Sequence, residues 1–238
     1  MRIVLDSGVS DCRNIGDHAI LDVTQTRLQK HTLHIFDADT LFKPTKLHPF
    51  LFLKALVQCD LYYLVSGGLF KHTGYLYIYR KLVALMLARC FRKQIYIDTQ
   101  TVFLRGFTRI LFKLCCQGLC IHCRDHYSIQ ECQLLGLRAT FKPDLLITHR
   151  TTQHVNRVVC DNRYPHPHPS WLIVPIIHTN LDWRIVRHLF ESASHAYCAS
   201  FHSAVFATNT GVKTTVYVEN EYYQRKFSVL TDVSLSRE

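Results

Sequence analysis

Acidic residues are scarce in this sequence. Its 18 Asp and Glu stand against 28 Lys and Arg, giving a formal charge of +10. Such a surplus favours an anionic partner, whether phosphate, nucleic acid, acidic glycan or lipid surface. Long apolar runs are missing too. LVALMLA (82–88) is closed by Arg80 and Lys81 on one side and Arg89 on the other, and HPFLFLKALV (48–57) is cut by Lys54. Neither approaches the roughly 20 apolar residues of a membrane span. In MRIVLDSG, Asp6 interrupts the opening apolar stretch, which argues against a signal peptide. The expectation is a cytoplasmic protein, at most peripheral at a membrane. There the ten cysteines are expected as thiols and not as a disulfide framework. No internal repeat and no low-complexity segment is seen.

What is present is a globular composition, 48% hydrophobic and 19% charged over 238 residues. That length suits one large domain or two small ones. Strand-like and helix-like segments alternate. RIVLDSG (2–8) reads as a strand, then 14–30 as a helix with Asp17 as its N-cap. Strands follow at 31–39, 60–70 (broken at Gly67-Gly68), 94–102 and 120–125, with helices at 48–58, 73–91, 106–119 and 128–136, after which comes RATFKPDLL (138–146). From about 148 the pattern restarts: strands at 155–162, 171–177, 195–200 and 214–220, helices at 182–193 and 201–211. Such alternation predicts an α/β fold with parallel sheets covered by helices. The expected division is an N-terminal lobe, 1–147, and a smaller C-terminal lobe, 148–238. Two such lobes would face each other across a cleft, and ligands favour the carboxyl ends of their strands.

Four segments stand in a suggestive order: NIGDHAIL (14–21), VSGGLF (65–70), RDHYSIQECQLLGL (124–137) followed by PDLL (143–146), and SFHSAVFA (200–207) followed by GVKTTVYVENEYYQRKF (211–227). Together they resemble the polysaccharide pyruvyl transferase family over most of the chain. The resemblance implies two Rossmann-like lobes of glycosyltransferase-B-like form, the second reduced here. It implies transfer of a pyruvyl group from phosphoenolpyruvate to a pair of glycan hydroxyls, giving a ketal. Phosphoenolpyruvate would be the donor substrate, with no further cofactor, and a glycan or glycolipid the acceptor. It also implies that Arg124, of the RD motif, grips the donor and that His202 belongs to an R-x-H element at the donor site. Ser200 stands at that element's arginine position.

The residue types suit that chemistry. Arginine's planar fork matches phosphate or carboxylate with two hydrogen bonds. Histidine titrates near neutrality and suits proton transfer. Arg124 reads as an anion clamp or, more plainly, as the partner of Asp125. His202 opens a helix whose free N–H groups could face an anion; the plainer reading is a satisfied buried histidine. Ser200 and Ser203 could bond an anion without adding charge. Asn14, Gly16 and Asp17 form the first loop, as ligand contacts or as turn and cap chemistry. Gly67 and Gly68 would allow close backbone approach. Lys213, Arg225 and Lys226 could supply the missing cation, though surface charge explains them as well.

Two further features bear on metal and partners. CCQGLCIHC (115–123) lacks the paired C-x₂-C spacing of a zinc site and reads as a buried helix end running into a strand, so no metal is expected. The basic helix RKLVALMLARCFRK (80–93) makes an anionic membrane surface a candidate partner. No nucleic acid is expected, since nothing beyond charge points to it. Two alternatives to a transferase stay open: a catalytically degenerate relative that binds a ligand or partner, and a basic protein held on nucleic acid or membrane.

Overall fold

A computed structural model describes residues 1–7, 15–36, 48–65, 67–71, 75–147, 157–165, 167–176, 181–230 and 233–236. The chain divides into two compact units. Unit 1 comprises residues 1–11 and 20–144, and unit 2 comprises 12–19 and 145–238. The sequence reading had set the division at 147/148 and kept 12–19 in the first lobe.

Unit 1 holds strands β1 (Arg2–Asp6), β2 (Thr32–Phe36), β3 (Leu61–Leu64), β4 (Gly67–Lys71), β5 (Gln94–Phe103), β6 (Cys120–Cys123) and β7 (Arg138–Phe141). They form one sheet in the order β2-β1-β3-β5-β6-β7, with β4 also paired to β5. Every pairing is parallel. Strands of such a sheet are buried on both faces and read as continuous apolar runs. RIVLD obeys this, with every residue after Arg2 buried. Helices α1 (Ile15–Arg27), α2 (His48–Gln58), α3 (Tyr75–Cys90), α4 (Phe107–Cys116) and α5 (His126–Leu134) link the strands. Phe52, Leu56, Leu85 and Phe112 from these helices meet Val4, Leu64, Ile97 and Ile121 of the sheet in one core. Each such side chain contributes about 1.5–3 kcal/mol by leaving water.

Two local readings change. Helix α1 begins at Ile15, so Asp17 lies in its first turn, where its charge suits the helix dipole, and does not cap it. The stretch 60–70 is two strands, β3 and β4, each paired to a different part of β5. Gly67 pairs with Gln100 within that ladder. Strand β5 shifts register between Ile97 and Gln100, where Thr99 takes the positive φ of 22°.

Unit 2 holds β8 (Val158–Asp161), β9 (Leu172–Val174), β10 (His195–Cys198), β11 (Lys213–Tyr217) and β12 (Val233–Ser236) in the order β12-β11-β10-β8-β9, again parallel. Helices α6 (Trp183–Glu191), α7 (Phe201–Thr208) and α8 (Glu221–Phe227) complete it. Asp182 caps α6 by accepting from Arg184 N at 2.7 Å. Helix α6 buries Val186 and Phe190, and α7 buries its whole first two turns. Helix α8 and strand β12 lie beyond the last strand expected from the sequence. The strand order reverses between β8 and β10. In open parallel sheets the carboxyl ends at such a reversal are where ligands bind.

Candidate functional site

Strand β8 ends in Asp161, and its carboxylate is the centre of the unit 2 site. Oδ2 accepts from Ala199 N at 2.9 Å, Ser200 N at 2.8 Å and Ser203 Oγ at 2.5 Å. Oδ1 accepts from Arg163 N at 3.0 Å. Ser200 is the N-cap residue of α7 but makes no capping bond with its side chain. Asp161 instead holds the two N–H groups just before the helix, those of Ala199 and Ser200. A helix N-terminus attracts an anion through its free N–H groups and its dipole. Here one of the chain's own carboxylates lies beside that helix start, on the N–H groups of Ala199 and Ser200 and the Ser203 hydroxyl. Of the two candidate serines, Ser203 gives its hydroxyl to Asp161 and Ser200 its backbone N–H.

His202 sits in the first turn of α7 and is only 3% exposed. Its ring packs on Gly16. A Cβ built at position 16 would stand 1.8 Å from Nδ1 and 1.9 Å from Cγ of His202. Only glycine leaves room for the ring. Ile15 N donates to Ile176 O at 3.0 Å, which fixes the start of α1 to unit 2. Phe201 meets the histidine edge-on at 5.9 Å. Thus residues 15–19 and SFHSAVFA, remote in sequence, belong to one unit, with Gly16 against His202. Asn14 lies outside the described residues.

Arg124 belongs to unit 1, one residue past β6, and is 1% exposed. Its Nη1 donates to Asp144 Oδ2 at 2.7 Å and its Nε to Thr101 Oγ1 at 2.5 Å. The adjacent Asp125 is not its partner: Asp125 caps α5, accepting from Ser128 N at 2.7 Å and Ser128 Oγ at 2.8 Å. The RD and PDLL segments are thereby joined by a buried ion pair. Burying one charge without the other is costly, so Arg124 and Asp144 hold each other in place.

Other buried charges escaped the sequence reading. Asp6 pairs with Lys81, both fully buried, and accepts from the Tyr62 hydroxyl. Asp98 accepts from Tyr63 OH and Lys142 Nζ, each at 2.5 Å. Burial and the Asp98 charge push the Tyr63 phenol well above its usual range. For Lys142, burial works to lower the pKa, but the bonds to Asp98 and Tyr96 outweigh it and the net shift is upward. A signal existed in the sequence. The apolar runs RIVLD, QIYID and VVCD each end in aspartate, at the end of a strand or at its kink.

Of the cysteine-rich segment, Cys115, Cys116 and Cys123 are buried and Cys120 is exposed. Cys123 Sγ lies 3.9 Å from Cys132 Sγ. Their hydrogen bond and burial raise the Cys123 thiol pKa, and burial raises that of Cys116. Among the described residues no group of three or more His, Cys, Asp or Glu is arranged to hold a metal ion. Among the basic candidates, Arg225 pairs with Glu221 at 2.5 Å, and Lys226 stands 5.1 Å over the Phe201 ring. Lys213 is exposed on β11. Among the described residues no helix is long and apolar enough to cross a membrane.

No protein-family model matches the chain, and no curated protein does. Solved structures do. A functionally uncharacterised protein of Klebsiella pneumoniae matches 99% of this chain and 92% of its own, with a TM-score of 0.63 at 14% identity. The UDP-GlcNAc 2-epimerase of Methanocaldococcus jannaschii, solved with UDP-GlcNAc and UDP, matches 100% of this chain and 89% of its own, with a TM-score of 0.52 at 10% identity. At such identities the likeness is one of fold. The chain has an α/β, Rossmann-like architecture with two parallel sheets, consistent with the glycosyltransferase-B-like form of the epimerase.

Proposed function

We propose that this chain is a pyruvyl-transferase-like protein that moves a pyruvyl group from phosphoenolpyruvate to two hydroxyls of a glycan. One observation carries the reading: the ring of His202 packs on Gly16, so two of the segments that carry the resemblance meet in space. The likeness of fold to an enzyme solved with a sugar nucleotide adds support. The second lobe would be the smaller.

In this reading the enol carbon of phosphoenolpyruvate takes a proton, and the first acceptor hydroxyl adds to the carbon bearing the phosphate. Phosphate leaves and the second hydroxyl closes the ketal. His202 is the proton carrier, because an imidazole can give and take a proton near neutral pH. Arg124 is the candidate grip on the donor. The acceptor is a glycan or glycolipid. If lipid-linked, it would bring a chain of formal charge +10 to an anionic membrane surface in the cytoplasm.

Incubation with phosphoenolpyruvate and candidate glycans should release inorganic phosphate, and His202→Ala should abolish the release. No release, together with no calorimetric binding of phosphoenolpyruvate, rejects the reading.

A second reading is favoured by Asp161 and Ser200. The N–H groups of Ala199 and Ser200 and the Ser203 hydroxyl are already held by Asp161, and Ser200 brings no charge. A relative that binds its ligand without turnover fits those facts. Saturable binding of phosphoenolpyruvate with no phosphate release, unchanged by any acceptor tried, would select it.

A further inference from the structure

The carboxyl ends of β8, β10 and β11 border a cavity of ≈ 240 Å³, lined by Arg163, Ala199, Tyr217, Glu219 and Tyr223. It lies at the reversal of strand order in unit 2, where an open parallel sheet offers a crevice. Nothing in the pyruvyl-transfer reading uses it.

The walls are built, not incidental. Arg163 follows Asp161 by two residues, and its backbone is tied to that carboxylate at 3.0 Å. Its side chain turns onto α8: Nη2 donates to Tyr223 OH at 2.9 Å, and the guanidinium stands 5.6 Å from the Tyr223 ring centroid. Asn220 caps α8 by accepting from Tyr223 N at 3.3 Å, which sets that residue in place. Tyr217 closes β11 and meets Tyr164 edge-on at 6.3 Å.

Charge decides what can enter. Arg163 is the cation of the lining, and Glu219 is the anion. Burial works to lower the Arg163 pKa, but Tyr223, Asp161 and Glu219 outweigh it and keep the guanidinium charged. An incoming phosphate or carboxylate would find that charge already shared and would face Glu219 at close range. A neutral ligand with several hydroxyls meets no such penalty. It can give a hydrogen bond to Glu219, take one from Arg163, and lay its C–H face on tyrosine rings. Drug-sized ligands occupy roughly 300–1,000 Å³. A cavity below that range suits a single ring.

We propose that this cavity is a subsite for one neutral sugar residue, held by Arg163 and Glu219 through its hydroxyls and by Tyr217 and Tyr223 through its C–H face. Calling that sugar part of the acceptor rests on the transferase reading; the binding itself does not.

The test is a titration of the full chain with methyl hexosides (galactoside, glucoside, mannoside), followed by saturation-transfer NMR. Uridine and inorganic phosphate serve as competitors. At least one hexoside should bind saturably. Glu219→Gln and Tyr217→Ala should each weaken it about tenfold, with unfolding temperatures unchanged. Should Tyr217→Ala unfold, Tyr217→Leu, which keeps the bulk and removes the aromatic face, replaces it. The proposal is overturned if no hexoside saturates, if the variants bind it as the wild type does, or if uridine or phosphate displaces it. Phosphoenolpyruvate binding is measured in parallel. Hexoside binding without it leaves the subsite standing and rejects the transfer reading; the reverse result rejects the subsite alone.

Discussion

At the scale of single residues, Gly16 and His202 make the sharpest case. Gly16 lies in the first turn of α1, and glycine within a helix costs stability relative to alanine. The ring of His202 is the reason it is there. Gly16→Ala should therefore destabilise unit 2 by roughly 1–3 kcal/mol, the usual range for overpacking. Adding His202→Ala removes the obstacle, so the double variant should be more stable than the sum of the single losses predicts. Urea denaturation of the four proteins of that cycle measures it; strict additivity would show that the two residues do not touch. Arg124 shows the limit of reading residues singly. RD invites pairing Arg124 with Asp125, yet the guanidinium binds Asp144, and Asp125 caps a helix.

At the scale of elements, the strands were the most legible part. Apolar runs such as RIVLD and VVCD announce buried parallel strands, and most expected strands and helices are found within a few residues of their places. Their partners were not legible, because pairing depends on strand order. Histidines lock two of the pairings: His122 bonds Thr140 at 2.9 Å across β6 and β7, and His195 bonds Thr215 at 3.0 Å across β10 and β11. Burial and Lys142 hold the His122 pKa below its ordinary 6.5, and burial and Lys213 do so for His195. Both therefore stay neutral in the fold at pH values where the unfolded chain takes up protons. Their contribution to stability is present above about pH 6.5 and is lost as the pH falls below it. The urea midpoint should drop between about pH 7.5 and pH 5.5, and the drop should shrink in His122→Gln and His195→Gln. Equal drops in all three proteins would contradict this.

At the scale of the whole molecule, the units are not continuous segments. Residues 12–19 precede most of unit 1 in sequence but belong to unit 2. A fragment of residues 145–238 lacks the Gly16 contact and the Ile15–Ile176 hydrogen bond. It should unfold at lower urea than the same fragment carrying residues 12–27 on a flexible linker. Equal midpoints would show that unit 2 does not need its N-terminal segment. The sequence offered no hint of this. Helical periodicity shows which face of α1 is apolar, but not that its two ends pack in different units.

The sequence alone determined the class of the fold, because alternating apolar strands and helices of this length have few other ways to bury their surface. It also determined the basic surface charge and drew attention to Arg124, Gly16, His202 and Ser200. Only the tertiary structure decided what those residues touch. It set Asp144 on Arg124, His202 on Gly16 and Asp161 at the head of α7. The physical reason is common to all three. Each contact joins residues distant in sequence, so it depends on which strands become neighbours, and a local pattern carries no record of that.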